Sequence, residues 1–167
     1  VVSLSANLDD TARIGKYTQQ EFPSLGKLNL VSVFKSKDES YVLESATIAL
    51  DGDYITAELN GVIDDLLVFA DLGDELAGID KAGVDIALTA NTDSLSELSG
   101  VFDIEIPVQS SLDITAQLIT TNGTVELQNL DANLDGEHLD ATIKVKLKNL
   151  ITLAGLEADI DAELDTL

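Results

Sequence analysis

From residue 139 to residue 147 the chain alternates without a break. Leu139, Ala141, Ile143, Val145 and Leu147 are aliphatic, and Asp140, Thr142, Lys144 and Lys146 between them are polar. In an extended strand, residues two apart project to the same side, so this segment reads as a strand with one apolar and one wet face. Ile55, Ala57, Leu59, Gly61 and Ile63 form an earlier counterpart. Further strand signals cover 2–8, 28–34, 41–50, 84–90, 101–106, 112–118, 125–134 and 156–164. Between them stand turn sequences such as Lys37-Asp38-Glu39-Ser40, Asp51-Gly52-Asp53, Thr121-Asn122-Gly123 and Asp135-Gly136-Glu137. Asn122-Gly123 and Asp135-Gly136 suit positive φ at tight turns. Links this short predict antiparallel hairpins and leave no room for a helical crossover.

The alternating stretches belong to a duplication. Glu21-Phe22-Pro23 recurs as Glu105-Ile106-Pro107, and Leu50-Asp51-Gly52 recurs as Leu134-Asp135-Gly136, in both cases 84 positions later (23 to 107, 52 to 136). The same offset pairs Leu4, Ala6, Asn7 and Asp9 with Leu88, Ala90, Asn91 and Asp93, and pairs Ala57 with Ala141. The chain therefore reads as one β-repeat segment of two copies, about 1–84 and 85–167, an elongated or stacked arrangement. Pro23 and Pro107 cannot donate to a ladder and are expected at strand beginnings or edges.

Helix signals are few. Segments 9–17 and 94–98 each open on a residue able to cap free amide groups. In 64–76, Leu66, Leu67, Phe69, Ala70, Leu72 and Leu76 make a candidate helical stripe that Gly73 interrupts, at a cost of about 1 kcal/mol relative to Ala. A strand remains the alternative there.

Charge excludes one class of partner. With 9 basic and 31 acidic residues the formal net charge is −22. Binding to a phosphate backbone depends on Lys and Arg releasing counterions, so nucleic acid is not the expected partner. The same field repels an anionic membrane surface, and contact with lipid must then use apolar groups. The chain is 45% hydrophobic but only 4% aromatic and lacks Trp, so any interior is aliphatic. Cysteine is absent, which removes disulfides and thiolate metal sites. The chain starts Val1-Val2, contains no Met and has no apolar run near the length of a membrane helix, which reads as a mature or excised piece of a longer protein.

No catalytic constellation emerges. His138 is the only histidine and matches Tyr54 in the other copy, as a surface residue does. Without Cys and with a single His, nucleophile–base triads and zinc sites lack their usual members. The carboxylate pairs Asp51/Asp53, Asp64/Asp65 and Asp159/Asp161 do not extend into the ladder of oxygen ligands that a calcium loop requires. No metal or cofactor is expected, nor an enzyme. What remains is the aliphatic stripe. It either packs against a second sheet as an ordinary sandwich core, or lines an open groove in which alkyl chains take the place of that sheet.

One resemblance favours the groove. Ser94-Leu95-Ser96-Glu97-Leu98-Ser99-Gly100, the apolar-Pro step at Ile106-Pro107, Leu112-Asp113-Ile114-Thr115-Ala116, the run from Val125 to Gly136 and then Leu139-Asp140-Ala141 form a phrase that resembles the repeat-rich β region of AsmA-like proteins. That family includes relatives of TamB and the bridge-like lipid-transfer proteins. The earlier copy, from Phe22 to Leu28 and on through Leu50-Asp51-Gly52 to Ala57, fits the same phrase. The motif is a rhythm of Leu, Asp and Gly, not an invariant signature. The resemblance implies a mainly β fold: a repetitive antiparallel sheet curved into a taco-like or half-closed groove, with one or two short helices. It also implies a periplasmic protein, anchored in the bacterial inner membrane through segments outside this chain, that moves phospholipid towards the outer membrane.

On this reading phospholipid acyl chains are the partner. Leu28, Leu30, Ile55, Ala57, Leu59, Leu112, Ile114, Ala116, Leu139, Ala141, Ile143 and Val145 line the groove, and the small Ala57 and Ala141 leave room. The competing expectation is an acidic β-sandwich scaffold or protein-interaction module of a secreted or surface protein. Unpaired end strands further predict an edge-to-edge homodimer of the isolated piece.

Overall fold

The computed structural model describes residues 1–15, 22–37, 40–70, 79–97, 110–121, 124–137, 140–148, 150 and 157–165. Among these, nine strands form one antiparallel sheet in which every strand pairs with its neighbours in sequence. They are β1 (Val2–Leu8), β2 (Lys27–Lys37), β3 (Ser40–Asp51), β4 (Thr56–Ile63), β5 (Val84–Thr92), β6 (Ser110–Thr121), β7 (Thr124–Gly136), β8 (Asp140–Lys148) and β9 (Glu157–Asp165). This is the mainly β, antiparallel architecture expected from the alternation. The sheet is not closed on itself, and a groove is not shown.

Register converts the alternation into two faces. One line of directly paired residues runs Leu8, Leu28, Leu50, Ala57, Ala90, Ile114, Ala132, Ile143, Ala162 across all nine strands. The adjacent line runs Asn7, Asn29, Ala49, Glu58, Thr89, Thr115, Asp131, Lys144, Asp161 on the opposite side. A slip of one residue moves the aliphatic set of a strand to the other side and brings mostly polar residues such as Asn29, Glu58, Asp113 or Lys144 into the line, so the side-chain pattern fixes the register. Polar cross-strand pairs reinforce it: Thr47 Oγ1 donates to Asn60 Oδ1 at 2.7 Å, Thr142 Oγ1 to Asn133 Oδ1 at 2.9 Å, and Gln117 Nε2 to Asp85 Oδ1 at 2.9 Å.

The duplication is visible in three dimensions. Strands β1 to β4 correspond to β5 to β8, and the register shift between Leu43 and Ala46 recurs between Leu127 and Leu130, again 84 positions on. A bulge adds a residue to one strand and sharpens the local twist, so both units bend at the same place. In the second unit Asn129 sits there with φ 53°, the left-handed conformation that Asn tolerates better than most residues. Strand β9 opens a third round. Thr56 pairs with Asn91, and its counterpart Asp140 pairs with Asp165, so β9 holds the place that β5 holds one unit earlier.

The connections carry the helices. Thr11–Ile14 is a 3-10 turn capped by Asp10, which accepts from the Ala12 amide at 2.8 Å, within the segment 9–17 where a short turn is expected; residues 16 and 17 lie outside the described set. Residues 95–97 form a helical turn. The predicted stripe over 64–76 begins as α1 (Leu66–Ala70); residues 71–78 lie outside the described set, and α2 (Ile79–Ala82) follows. Asp65 starts α1 by accepting from the Leu67 and Val68 amides at 3.0 and 3.1 Å. Backbone bonds from Asp64 N to Gly83 O (3.0 Å) and from Asp65 N to Ala82 O (2.9 Å) close the base of this insertion. Gly83 has φ 65°, and a Cβ there would stand 2.7 Å from Asp64 Cβ, so only glycine fits without strain.

The buried core gathers where these helices meet the sheet. Among the described residues its hydrophobic members are Ile63, Ile79, Ala82, Val84 and Val125, with Leu43, Leu66, Val68, Ile86, Leu118 and Leu150 packed around them.

One turn expectation needs correction. Gly136 ends β7 as a strand residue without positive φ, and the left-handed glycines among the described residues are Gly26 and Gly83. The reason is local: the Gly136 amide donates to Asp140 Oδ1 at 3.2 Å, so the side chain that follows satisfies the turn. Asn122-Gly123, Pro107 and the candidate strand over 101–106 lie outside the described residues. Pro23 precedes β2 in a non-strand segment and accepts at its carbonyl from Thr11 Oγ1 at 2.7 Å.

Candidate functional site: an uncovered aliphatic face

The aliphatic face is the most extended chemical feature of the sheet. Of the residues expected to line it, Leu28, Leu30, Ala57, Leu59, Leu112, Ile114, Ala116, Ala141, Ile143 and Val145 all lie on strands and share one face. Ile55 precedes β4, outside the ladder, and its carbonyl accepts from the Gly52 amide at 3.1 Å. Leu139 falls outside the described residues. Ala90, Leu88, Leu50, Ile48, Leu134 and Ala132 belong to the same face.

Burial grades along this face. Near α1 and α2, Ile63 is 7% exposed and Val84 2%. Towards the opposite ends of the strands Leu28, Leu50, Ala57, Ala90, Ile114 and Ala141 are only half-buried. Towards the two ends of the strand order cover is lost, with Leu4 of β1 50% exposed, Ile143 of β8 44% and Ile160 of β9 63%. Leaving this much aliphatic surface in contact with water is unfavourable by about 25 cal/mol per Å². Patches of this kind on soluble proteins mark contact sites.

Two hydroxyls interrupt the apolar pattern. Ser32, between Leu30 and Phe34, is 3% exposed and its Oγ has no hydrogen-bond partner; Ser110 is in the same condition. A signal for the first is present in the sequence: the duplication places Ala116 where Ser32 stands.

Open depressions border the sheet. A depression of about 680 Å³ is bordered by Thr115, Asn129, Asp131, Lys144, Lys146, Asp159 and Asp161. Another of about 470 Å³ is bordered by Ala49, Asp51, Thr56, Glu58, Thr89, Asn91, Asp113 and Thr115. By register these side chains stand on the polar side of the sheet. A third, of about 540 Å³, lies at the strand ends between Asp9, Asp10, Ser24, Lys27, Asp51, Asp53 and Tyr54. Leu130, Val145 and Ile160 also border the first, and Leu50, Ala57, Ala90 and Ile114 of the aliphatic line border the second, so neither depression belongs to polar groups alone.

Electrostatics on the polar side is organised around β8. Lys144, Lys146 and Lys148 pair in register with Asp161, Asp159 and Glu157 of β9, and Lys144 Nζ lies 4.0 Å from Asp131 Oδ2. Elsewhere Lys35 bonds Glu44 at 3.0 Å and Arg13 bonds Asp9 at 3.1 Å. These pairs are exposed, so each contributes at most about 1 kcal/mol. Two carboxyls are held below the usual range. The Ser24 hydroxyl and then the Ala12 amide favour the charged form of Asp10. The Ser40 hydroxyl, 2.5 Å from Oδ1, and then the Val68 amide do the same for Asp65. Asp10 caps the 3-10 turn and Asp65 caps α1. Among the described residues no group of three His, Cys, Asp or Glu side chains is arranged to hold a metal ion. Among the same residues no helix is long and apolar enough to cross a membrane, which says nothing of strands. No protein-family model, curated protein or solved structure matches the chain.

Proposed function

We propose that this chain is a non-enzymatic lipid-binding segment whose aliphatic face receives phospholipid acyl chains, as part of an AsmA-like periplasmic protein that carries phospholipid towards the outer membrane. The observation that supports the reading is the unbroken aliphatic line across all nine strands, half-buried from β1 to β7 and exposed at Ile143 of β8. Along that line small residues stand among large ones, with Ala57, Ala90 and Ala132 set among Leu50, Ile114 and Ile143. Each methylene removed from water contributes about 0.8 kcal/mol, and an acyl tail needs no polar partner along its length. Specificity for a reacting group is not required, in keeping with a site that lacks one.

The test is capture of lipid. Photoreactive residues placed at Ala57 and Ala141, which are half-buried on the aliphatic side, are expected to crosslink acyl chains when the protein is exposed to phospholipid vesicles. Mass spectrometry of organic extracts from the purified protein is expected to find phospholipid. Empty extracts and unlabelled positions under both conditions would leave the acidic scaffold reading in its place.

A further inference from the structure

Three small residues lie side by side on the aliphatic face. Ser32 of β2 pairs with Ala46 of β3, and Ala46 pairs with Gly61 of β4. Leu30, Ile48 and Leu59 stand along one side of this line, and Phe34, Leu43 and Ile63 along the other. The small residues therefore form the floor of a furrow that crosses the strands between two apolar ridges. Alanine and glycine are poor strand formers, and a glycine inside a strand often marks the close approach of another group. One end of the furrow is closed: Ile86 pairs with Gly61, and its Cγ1 lies 3.4 Å from the place of a Cβ on that glycine. At the other end Leu4, the partner of Ser32, is 50% exposed.

The duplication supplies a comparison within the same sheet. At the positions 84 residues later Ala116, Leu130 and Val145 replace Ser32, Ala46 and Gly61, so the second unit has larger side chains along the line and no hydroxyl. Ser32 itself is an independent mark of a site. It is 3% exposed, and its Oγ has no hydrogen-bond partner. A hydroxyl in that condition is disfavoured, and an acceptor on a bound molecule satisfies it. Charge decides which acceptor. A chain of net charge −22 repels an ionised carboxylate, whereas an ester carbonyl is neutral. Length agrees as well: three strands at about 4.8 Å give roughly 14 Å, close to the roughly 15 Å that an acyl chain occupies in half of a bilayer's hydrocarbon core.

We propose, resting on the lipid-binding reading above, that this furrow is a subsite for one ester-linked acyl chain, whose carbonyl oxygen accepts from Ser32 Oγ and whose methyl end points towards Ile86. Leu30, Ile48 and Leu59 are half-buried ridge residues, and their side chains turn aside as the acyl chain enters. The first unit thereby recognises the head of an acyl chain, and the second offers apolar contact alone.

Calorimetric titration with a short-chain diester phosphatidylcholine and with its diether analogue tests the assignment, since the two lipids differ at the carbonyl. The parent protein is expected to bind the diester about fivefold more tightly, the factor for one neutral hydrogen bond. Ser32→Ala is expected to lose that preference while its affinity for the diether stays unchanged. Gly61→Val, which installs the residue of the second unit, is expected to weaken both lipids, and circular dichroism confirms that each variant is folded. Laurate, which is ionised and has no ester, is expected to bind more weakly than the diester. Equal affinity of the parent protein for diester and diether, a preference that survives Ser32→Ala, or tighter binding of laurate would each overturn the subsite and leave the lipid-binding face standing. Absence of binding by every one of these lipids would remove both.

Discussion

Ile63 and Ile143 offer a controlled comparison, since they are the same residue type, on the same face, in corresponding strands of the two units. Ile63 is 7% exposed against the helices, whereas Ile143 is 44% exposed near the β9 edge. Truncation to Ala removes three carbons, worth about 2.4 kcal/mol at full burial. At Ile63 nearly all of that is lost, and the packed surroundings leave a cavity, for a total of about 3 kcal/mol. At Ile143 little more than half applies and no cavity forms, giving about 1.3 kcal/mol. In urea, with a slope of about 2 kcal/mol per molar, the midpoints fall by roughly 1.5 M for Ile63→Ala and roughly 0.6 M for Ile143→Ala. Circular dichroism follows both transitions, provided that the slopes match the parent protein. Equal shifts at the two sites would mean that Ile143 is covered in solution, and the uncovered face would have to be abandoned.

Three further outcomes follow from particular groups. Ser32→Ala removes a buried hydroxyl that has no partner, so it is expected to leave the denaturation midpoint unchanged or raise stability by up to about 1 kcal/mol. Gly83→Ala is expected to cost about 2 kcal/mol because φ is 65° and Asp64 stands in the way, whereas Gly61→Ala, whose nearest atom is Ile86 Cγ1 at 3.4 Å, is tolerated; paired thermal melts separate them. Asp10 and Asp65 are more acidic folded than unfolded, so their contribution is complete above the ordinary carboxylate range and disappears as pH falls through their lowered values. Melting temperature measured against pH is expected to drop in that acid window, and Asp65→Asn is expected to flatten part of the drop.

Much of the fold was legible because strand periodicity is a count of two, and these strands keep it except at the bulges in β3 and β7. Strand β1 spans the residues that the pattern indicates, and β2 to β9 depart from it only at their ends. The bulges were also written in the sequence. In β3 the aliphatic positions step from Leu43 to Ala46 by three before resuming at Ile48 and Leu50, and β7 repeats the step from Leu127 to Leu130. A template of strict alternation passes over that slip. The helices were less legible because their apolar residues satisfy either period over a few positions, and packing against Ile63 and Val84 decides between them. The candidate site was legible as a face, since register follows from alternation. Its shape was not, because twist and cover depend on connections that hydrophobic spacing does not encode.

The duplication makes the sheet a ruler. Four strands at about 4.8 Å each advance the aliphatic face by roughly 19 Å per unit. The connection from β4 to β5 spans residues 64–83 and carries two helices, while that from β8 to β9 spans residues 149–156, yet both deliver the next strand to the same place in the ladder. Connection length is therefore free to change while the step is fixed. A gene duplication of this unit lengthens the surface by a constant increment and needs no new contact to be invented at the junction.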